Sequence, residues 1–440
     1  MIIENFITCL MRRKSAQYLQ FQDEGGIELE DCGREGKKYL LYVHIPFCER
    51  LCPYCSFNRY PFEESLARSY FSALREELKI YRQKGYDCTG LYIGGGTPTI
   101  MMDELEKTLA LIRSLYSIRE VSVETNPNHL TQERLEVLKS LGINRLSVGV
   151  QSFNDQILRS VDRYEKYGSG QEIQEKLRLA SQILADGYKS PLADSQRAAG
   201  AGRKNTLNVD MIFNFPNQTM SMLEEDLDIL LSLKIDQITF YPLMVSASTQ
   251  KGLAEKLGQV DYRKEKAFYF KILDKLSAQF QPASAWCFSR ADGLIDEYIV
   301  DYDEYIGSGS GAFSYLNGCI YANTFDLAEY IRQLKQGRLP LGFKKAFSTR
   351  EQMRYDFLMK LFGRRLDIEA LKAKFNGSLY RYLWLELLFF RLIGGIRTEG
   401  GRQILLTPKG HYLWVIMMRE FFIGVNNFRD ACRRKIAAGS

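Results

Sequence analysis

The chain has 440 residues, a formal net charge of +6, nine cysteines and three histidines. Its length implies two or three domains or one large barrel with additions. The mild charge, with no basic block or nucleic-acid motif, argues against DNA or RNA as a partner and permits acidic substrates or an anionic membrane surface.

Residues 1–38 contain one basic cluster, Met11-Arg12-Arg13-Lys14, which is too short for a targeting signal. The absence of a signal-peptide pattern and the cysteine spacing predict a reducing, cytoplasmic location. The apolar run 39–45 predicts a first strand, followed at once by Cys48, Cys52 and Cys55 in CxxxCxxC spacing. Three thiolates from one short loop suit a 4Fe-4S cluster with one iron left open to a small molecule. Zinc sites show paired CxxC units or added histidines, whereas His44, His129 and His411 are scattered. Cys9, Cys32, Cys88, Cys287, Cys319 and Cys432 stand apart and read as ordinary thiols.

Further strands are predicted at 91–93, 121–124, 145–150, 207–213 and 237–240. Helical periodicity marks 65–83, 102–116, 131–141, 155–162 and 222–233. This alternation implies a parallel sheet with right-handed crossovers, whose functional residues lie at the carboxyl ends of the strands. Gly94-Gly95-Gly96-Thr97 ends one strand and lets the backbone approach a ligand closely; a plain turn is the other reading, and no Lys-Ser/Thr follows to make a P-loop. Glu124 ends the next strand, as either a ligand-binding carboxylate or a structural acceptor.

The stretch 185–206, rich in Gly, Ala, Ser, Lys and Arg, reads as an exposed disordered loop, with a lid as the alternative. The apolar run 383–390 is broken by Glu386 and flanked by Arg381 and Arg391, too short and interrupted to span a bilayer. Around it the tail carries Tyr380, Tyr382, Trp384, Phe389 and Phe390, then Tyr412, Trp414, Met417, Met418, Phe421 and Phe422. These fit an amphipathic helix pair packed on the barrel. They equally fit an apolar entrance or a peripheral membrane contact beside Arg419, Arg429, Arg433, Arg434 and Lys435. Residues 392–406 read as a small hairpin between helices.

Together, Tyr42-Val43-His44-Ile45-Pro46-Phe47-Cys48, the Gly-Gly-Gly-Thr-Pro-Thr ending at Thr99, Glu124-Thr125-Asn126-Pro127, Ser147-Val148-Gly149-Val150-Gln151-Ser152-Phe153 and Asn208-Val209-Asp210-Met211-Ile212 resemble one family. It is the radical S-adenosylmethionine enzymes of the oxygen-independent coproporphyrinogen III oxidase superfamily. The resemblance implies an α/β fold: a variable lead-in over 1–38, an incomplete (β/α)6 barrel with its extension over 39–330, and a C-terminal helical, winged-helix-like region over 331–440. It further implies that Cys48, Cys52 and Cys55 hold the 4Fe-4S cluster beside Tyr42. Gly95, Gly96 and Thr97 would meet the methionine part of S-adenosylmethionine. Glu124, Gln151, Arg163 and Asp210 would reach that cofactor or a second copy of it, with looser contacts from Pro242 and Phe313. For Arg163 and Asp210 the alternatives are a surface ion pair or a helix cap. In the family, an electron from a flavodoxin- or ferredoxin-type donor cleaves the cofactor to methionine and a 5'-deoxyadenosyl radical, which takes a hydrogen atom from substrate.

Two departures bear on the reaction. Coproporphyrinogen oxidases of this type carry a further cysteine where Phe57 stands, and the related haem chaperones carry a His-Asn-x-x-Tyr-Trp motif, whereas no histidine occurs between His129 and His411. The pattern therefore resembles most the class C radical S-adenosylmethionine methyltransferases. That implies two cofactor molecules and methylation of an sp2 carbon on a planar apolar ring such as menaquinone. Oxidation of coproporphyrinogen III and haem carriage, both with a tetrapyrrole ligand, are the alternatives.

Overall fold

The computed structural model describes residues 2–21, 27–33, 36–185, 205–290, 302–377 and 379–439. The stretch 185–206, expected to be an exposed loop, lies outside the described residues except at its ends. Six parallel strands, β1 (Tyr39–Ile45), β2 (Cys88–Gly95), β3 (Glu120–Thr125), β4 (Arg145–Gln151), β5 (Thr206–Phe213) and β6 (Gln237–Pro242), pair side by side in chain order. These are the six expected strands, lengthened at their ends by ladder pairing that short apolar runs do not display.

β1 and β6 do not pair with each other, so the parallel core stays open. Past β6 the sheet continues antiparallel through β8 (Cys287–Ser289) to β7 (Gln281–Pro282). Past β1 it adds β9 (Tyr305–Ser308) in parallel, then β10 (Phe313–Leu316), β11 (Cys319–Asn323) and β12 (Leu341–Ala346) antiparallel, giving twelve strands in one mixed sheet among the described residues.

Strand alternation sorts the residues of the parallel core onto two faces. Leu41, Val43, Ile93, Val123, Val148, Val209 and Phe240 are buried among apolar partners. They meet the outer helices, which include α2 (Glu64–Gln83), α3 (Met102–Leu115), α4 (Gln132–Ser140), α7 (Gly170–Ala185) and α8 (Met220–Ser232). The inner face is polar. Ser147 donates to Asp210 at 2.7 Å, Asn208 donates to both, and Thr239 donates to Asn208 at 3.1 Å. Arg145, fully buried, donates to Gln237 at 2.8 Å and Ser122 at 3.1 Å.

Downstream, α12 (Thr349–Phe362), α13 (Ile368–Lys374), α14 (Leu379–Leu392) and α15 (Pro408–Gly439) surround a three-stranded sheet of β13 (Arg365–Asp367), β15 (Gln403–Leu406) and β14 (Ile396–Glu399), in that order. The β14–β15 hairpin falls within the predicted 392–406. The aromatic tail divides in two: Tyr412, Trp414, Met417 and Met418 are core, whereas Tyr380 and Trp384 are exposed. Arg419 does not face a surface either. It is buried between Glu265 and Glu420, donating to Glu420 at 2.8 Å. The lead-in contains α1 (Ile2–Tyr18), which packs along α15, burying Ile7 and pairing Arg12 with Glu420 at 2.6 Å.

Candidate active site

The cysteine loop leaves β1 through Pro46 and is closed at its base. Phe47–Cys48 pairs in parallel with Tyr60–Pro61, and the amides of Tyr60 and Phe62 donate to the carbonyls of Pro46 at 2.6 Å and Cys48 at 3.0 Å. Arg59 lies across the loop, one nitrogen donating to the carbonyls of Cys52 at 2.6 Å and Cys55 at 2.7 Å. Those bonds turn the loop's carbonyls towards the guanidinium and fix its path. Burial pushes the Cys48 thiol up to about 12, and the neighbouring thiols add to the rise.

Among the described residues, no three Cys, His, Asp or Glu side chains close on a point as a single metal ion requires. A cluster spreads its ligands over separate irons, so the relevant fit is three thiols in one pinned loop against a close-lying backbone. That backbone is present at Gly96. A β-carbon there would lie 2.5 Å from the Phe47 carbonyl and 2.9 Å from the Cys48 sulfur. Gly95 has φ +116°, a conformation that side chains disfavour.

Glu124 accepts from the Gly95 amide at 3.0 Å and the Tyr92 hydroxyl at 2.8 Å, joining the ends of β2 and β3. Thr97 is buried and accepts from Asn126 at 2.8 Å. Asn126 accepts from Arg163 at 3.1 Å, and Arg163 also donates to the Gly149 carbonyl and, at 3.4 Å, to the Cys52 sulfur. One hydrogen-bonded path therefore joins the glycine loop, the end of β3, the end of β4 and the cysteine loop. Arg163 is buried, its guanidinium 4.0 Å over the Tyr167 ring, and its Nε has no partner. A surface ion pair is thereby excluded for this residue. An arginine held against a thiol in a dry site is chemistry suited to an anionic cluster–thiolate assembly.

Tyr42 and His44 line the inner face of β1. His44 Nε2 lies 2.7 Å from the Asn58 carbonyl and so carries the proton donated there, leaving Nδ1 to accept from Tyr42 at 2.9 Å. Burial holds His44 down to about 4, with the charges of Arg429 and Arg433 acting in the same direction, so the ring stays neutral. Asn58 in turn donates to the Ser310 carbonyl at 3.0 Å, and Tyr70 donates to the His44 carbonyl at 2.7 Å. Behind them is buried Glu77 of α2, which accepts from the Gly309 amide at 2.7 Å, from Asn323 at 2.7 Å and from Tyr330.

Tyr42, Cys48, Cys52, Gly95, Gly96, Thr97, Glu124 and Arg163 thus converge at the carboxyl ends of β1 to β4, as expected of a parallel α/β core. Gln151 ends β4 with φ +75°, beside a register shift against β5. Asp210 lies within β5, bonded to Ser147 and Asn208; it caps no helix. Pro242 ends β6 beside Phe213. Phe313 starts β10 among Phe21, Phe325 and Phe428. Arg59, Asn58, Asn126 and Glu77 were not singled out from the sequence. Asn126 lay within a quoted motif; for the others no local pattern marks the role.

Residues 42–230 match the profile of the Radical SAM superfamily. That match spans β1 to β5 and holds the site residues from Tyr42 to Asp210. The chain's cofactors are a 4Fe-4S cluster and S-adenosylmethionine. The heme chaperone HemW of Bacillus subtilis (strain 168) is 29% identical over 340 residues, covering 73% of this chain and 82% of that protein. The oxygen-independent coproporphyrinogen III oxidase of Escherichia coli (strain K12) is 24% identical over 429 residues, covering 90% and 88%. The solved structure of coproporphyrinogen III oxidase (HemN) from Escherichia coli shares the fold, with a TM-score of 0.73 at 22% identity over 91% of this chain and 95% of that one. The expected placement in the class C methyltransferase branch is not supported by these relatives. That placement rested on two absent features, the cysteine that Phe57 replaces and a histidine motif, and an absence does not select one branch over another.

Proposed function

We propose that this chain is a radical SAM oxidoreductase acting on a carboxylate-bearing tetrapyrrole of the coproporphyrinogen class. The observation that carries the enzyme reading is the unbroken path from Thr97 through Asn126 and Arg163 to Cys52, which fixes the cysteine loop against the glycine loop at the mouth of a polar interior. When bound, the cluster and S-adenosylmethionine supply a carbon-centred radical able to remove an unactivated hydrogen atom. The protein's part is positional: Arg59 sets the loop, Glu124 ties the Gly95 amide, and burial of Thr97, Arg163 and His44 excludes water.

A tetrapyrrole is supported by the relatives and by the charge of the rim. Arg429 lies 5.1 Å over the Phe57 ring and 5.6 Å over Phe313, and Arg433 donates to the Phe57 carbonyl. Cations beside aromatic rings at the edge of the site suit a flat ring with carboxylate arms. Haem carriage is the second reading, favoured by the resemblance to HemW. Against it, His44, His129 and His411 are all buried, so none presents a nitrogen to an incoming haem iron.

The test is anaerobic incubation of cluster-reconstituted protein with S-adenosylmethionine, dithionite and coproporphyrinogen III. We expect substrate-dependent 5'-deoxyadenosine and release of carbon dioxide, both lost in Cys48→Ala. Stoichiometric haem uptake without turnover would replace this reading with carriage, and S-adenosylhomocysteine as a product would replace it with methyl transfer.

A further inference from the structure

We propose that α1 and α14 together form a docking face for an anionic lipid surface. α14 turns Leu383, Leu387 and Phe390 into the core, yet its other side shows Trp384 at 54% and Leu392 at 77% exposure, with Leu385 and Leu388 exposed between them. On α1, Ile2 is 87% and Phe6 54% exposed. The Phe6 ring lies 5.8 Å from Phe389, which is a helical neighbour of both Leu385 and Leu392. The two helices therefore present one continuous apolar face. Single exposed leucines are ordinary, but a cluster of large apolar side chains drawn from two helices marks an interaction site.

Charge selects the occupant. Each helix has one carboxylate, and both are turned away: Glu386 pairs with Arg354 at 2.7 Å, and Glu4 pairs with Lys266 at 2.7 Å. Arg13, Arg381 and Arg391 remain exposed along the same helices. Apolar side chains rimmed by cations, with no carboxylate pointing outwards, match the interface of an anionic bilayer. Two-fold pairing with a second copy would set the α14 arginines against each other, with no outward acid on either helix to neutralise them. No helix among the described residues is long and apolar enough to cross a membrane, so the contact is with its surface.

The three tryptophans make the test direct. Trp286 and Trp414 are fully buried, so a change in emission on binding reports Trp384. The full-length protein is mixed with phosphatidylcholine vesicles, with or without phosphatidylglycerol. The expected result is a blue shift and co-sedimentation with the phosphatidylglycerol vesicles, weakened by salt. The double variant Leu385→Glu, Leu388→Glu should partition at least ~10-fold less, with unchanged melting temperature and an unchanged spectrum in buffer. Absence of any shift with either vesicle overturns the proposal. So does a lipid-free dimer in sedimentation velocity that the double variant dissociates, because the face would then belong to a second copy.

Discussion

Arg59 supplies what the cysteine loop cannot supply alone. A loop with three thiols has many conformations, and the bonds from one guanidinium to the Cys52 and Cys55 carbonyls select among them. Charged hydrogen bonds of this kind contribute about 1.5–3 kcal/mol each. We expect Arg59→Met to fold but to retain less than about half of the wild-type iron and sulfide after reconstitution, measured by chemical analysis and the cluster's visible absorbance. Glu77 acts further back, holding Gly309, Asn323 and Tyr330 behind the Asn58–His44 pair. Burial raises it to about 7, above the ordinary 4.5. The folded state then keeps a proton that the unfolded chain has released, so this stability is complete below pH 4.5 and is lost as pH rises through 7. Relative to Glu77→Gln, the wild type should lose on the order of 3 kcal/mol between those limits, read as a pH-dependent gap between the two melting temperatures. The cysteines, the glycines and Glu124 were legible because each belongs to a short motif with its own chemistry. Asn58 and Glu77 were not, since their partners lie 252 residues away at Ser310 and 232 away at Gly309.

At the scale of elements, α15 holds the molecule together from its own end. It packs along α1, meets α12 through Trp414, which donates to the Leu358 carbonyl at 3.0 Å, and reaches the loop after β6 through Asn426, which donates to the Met244 carbonyl at 3.3 Å. Its hold on α10 (Tyr262–Leu276) is ionic: Arg419 lies buried between Glu265 and Glu420. Replacing that arginine alone leaves Glu265 buried without its cation, while Glu420 keeps Arg12, and breaking a buried pair in this way costs about 3–5 kcal/mol. Arg419→Met should therefore lower the melting temperature markedly, and a second change, Glu265→Gln, should recover part of the loss in the same calorimetric scan. The parallel strands and the helices α2, α3, α4 and α8 were readable because apolar residues recur at strand and helix spacing. α1 was not, because apolar and polar residues mix over its 17 residues without a clean face, and its packing partner α15 lies at the other end of the chain. Strand β9 and the antiparallel strands β10 to β12 were missed for a related reason: they are short, and their pairing is decided by neighbours and not by their own pattern.

For the molecule as a whole, the parallel half of the sheet and the position of the thiol loop follow from chain order, while the antiparallel half and the C-terminal cover depend on tertiary pairing. The class C branch was expected from two absent features, and the relatives do not support it. Residues that reach the mouth from α15, such as Arg429 and Arg433, are nearly 400 residues from the first strand, and no motif joins them to it. The division of the parallel core into an apolar outer face and a polar inner face has one more consequence. Most apolar burial of the strands lies on the outer side, against helices, whereas Ser147, Asn208, Asp210 and Thr239 face inwards and bond chiefly to one another. Changing an inward position therefore costs hydrogen bonds among these few side chains and leaves the outer apolar packing in place. Such a scaffold can be re-aimed at a new molecule by descent, one interior side chain at a time, while the machinery that starts the radical stays untouched at the rim.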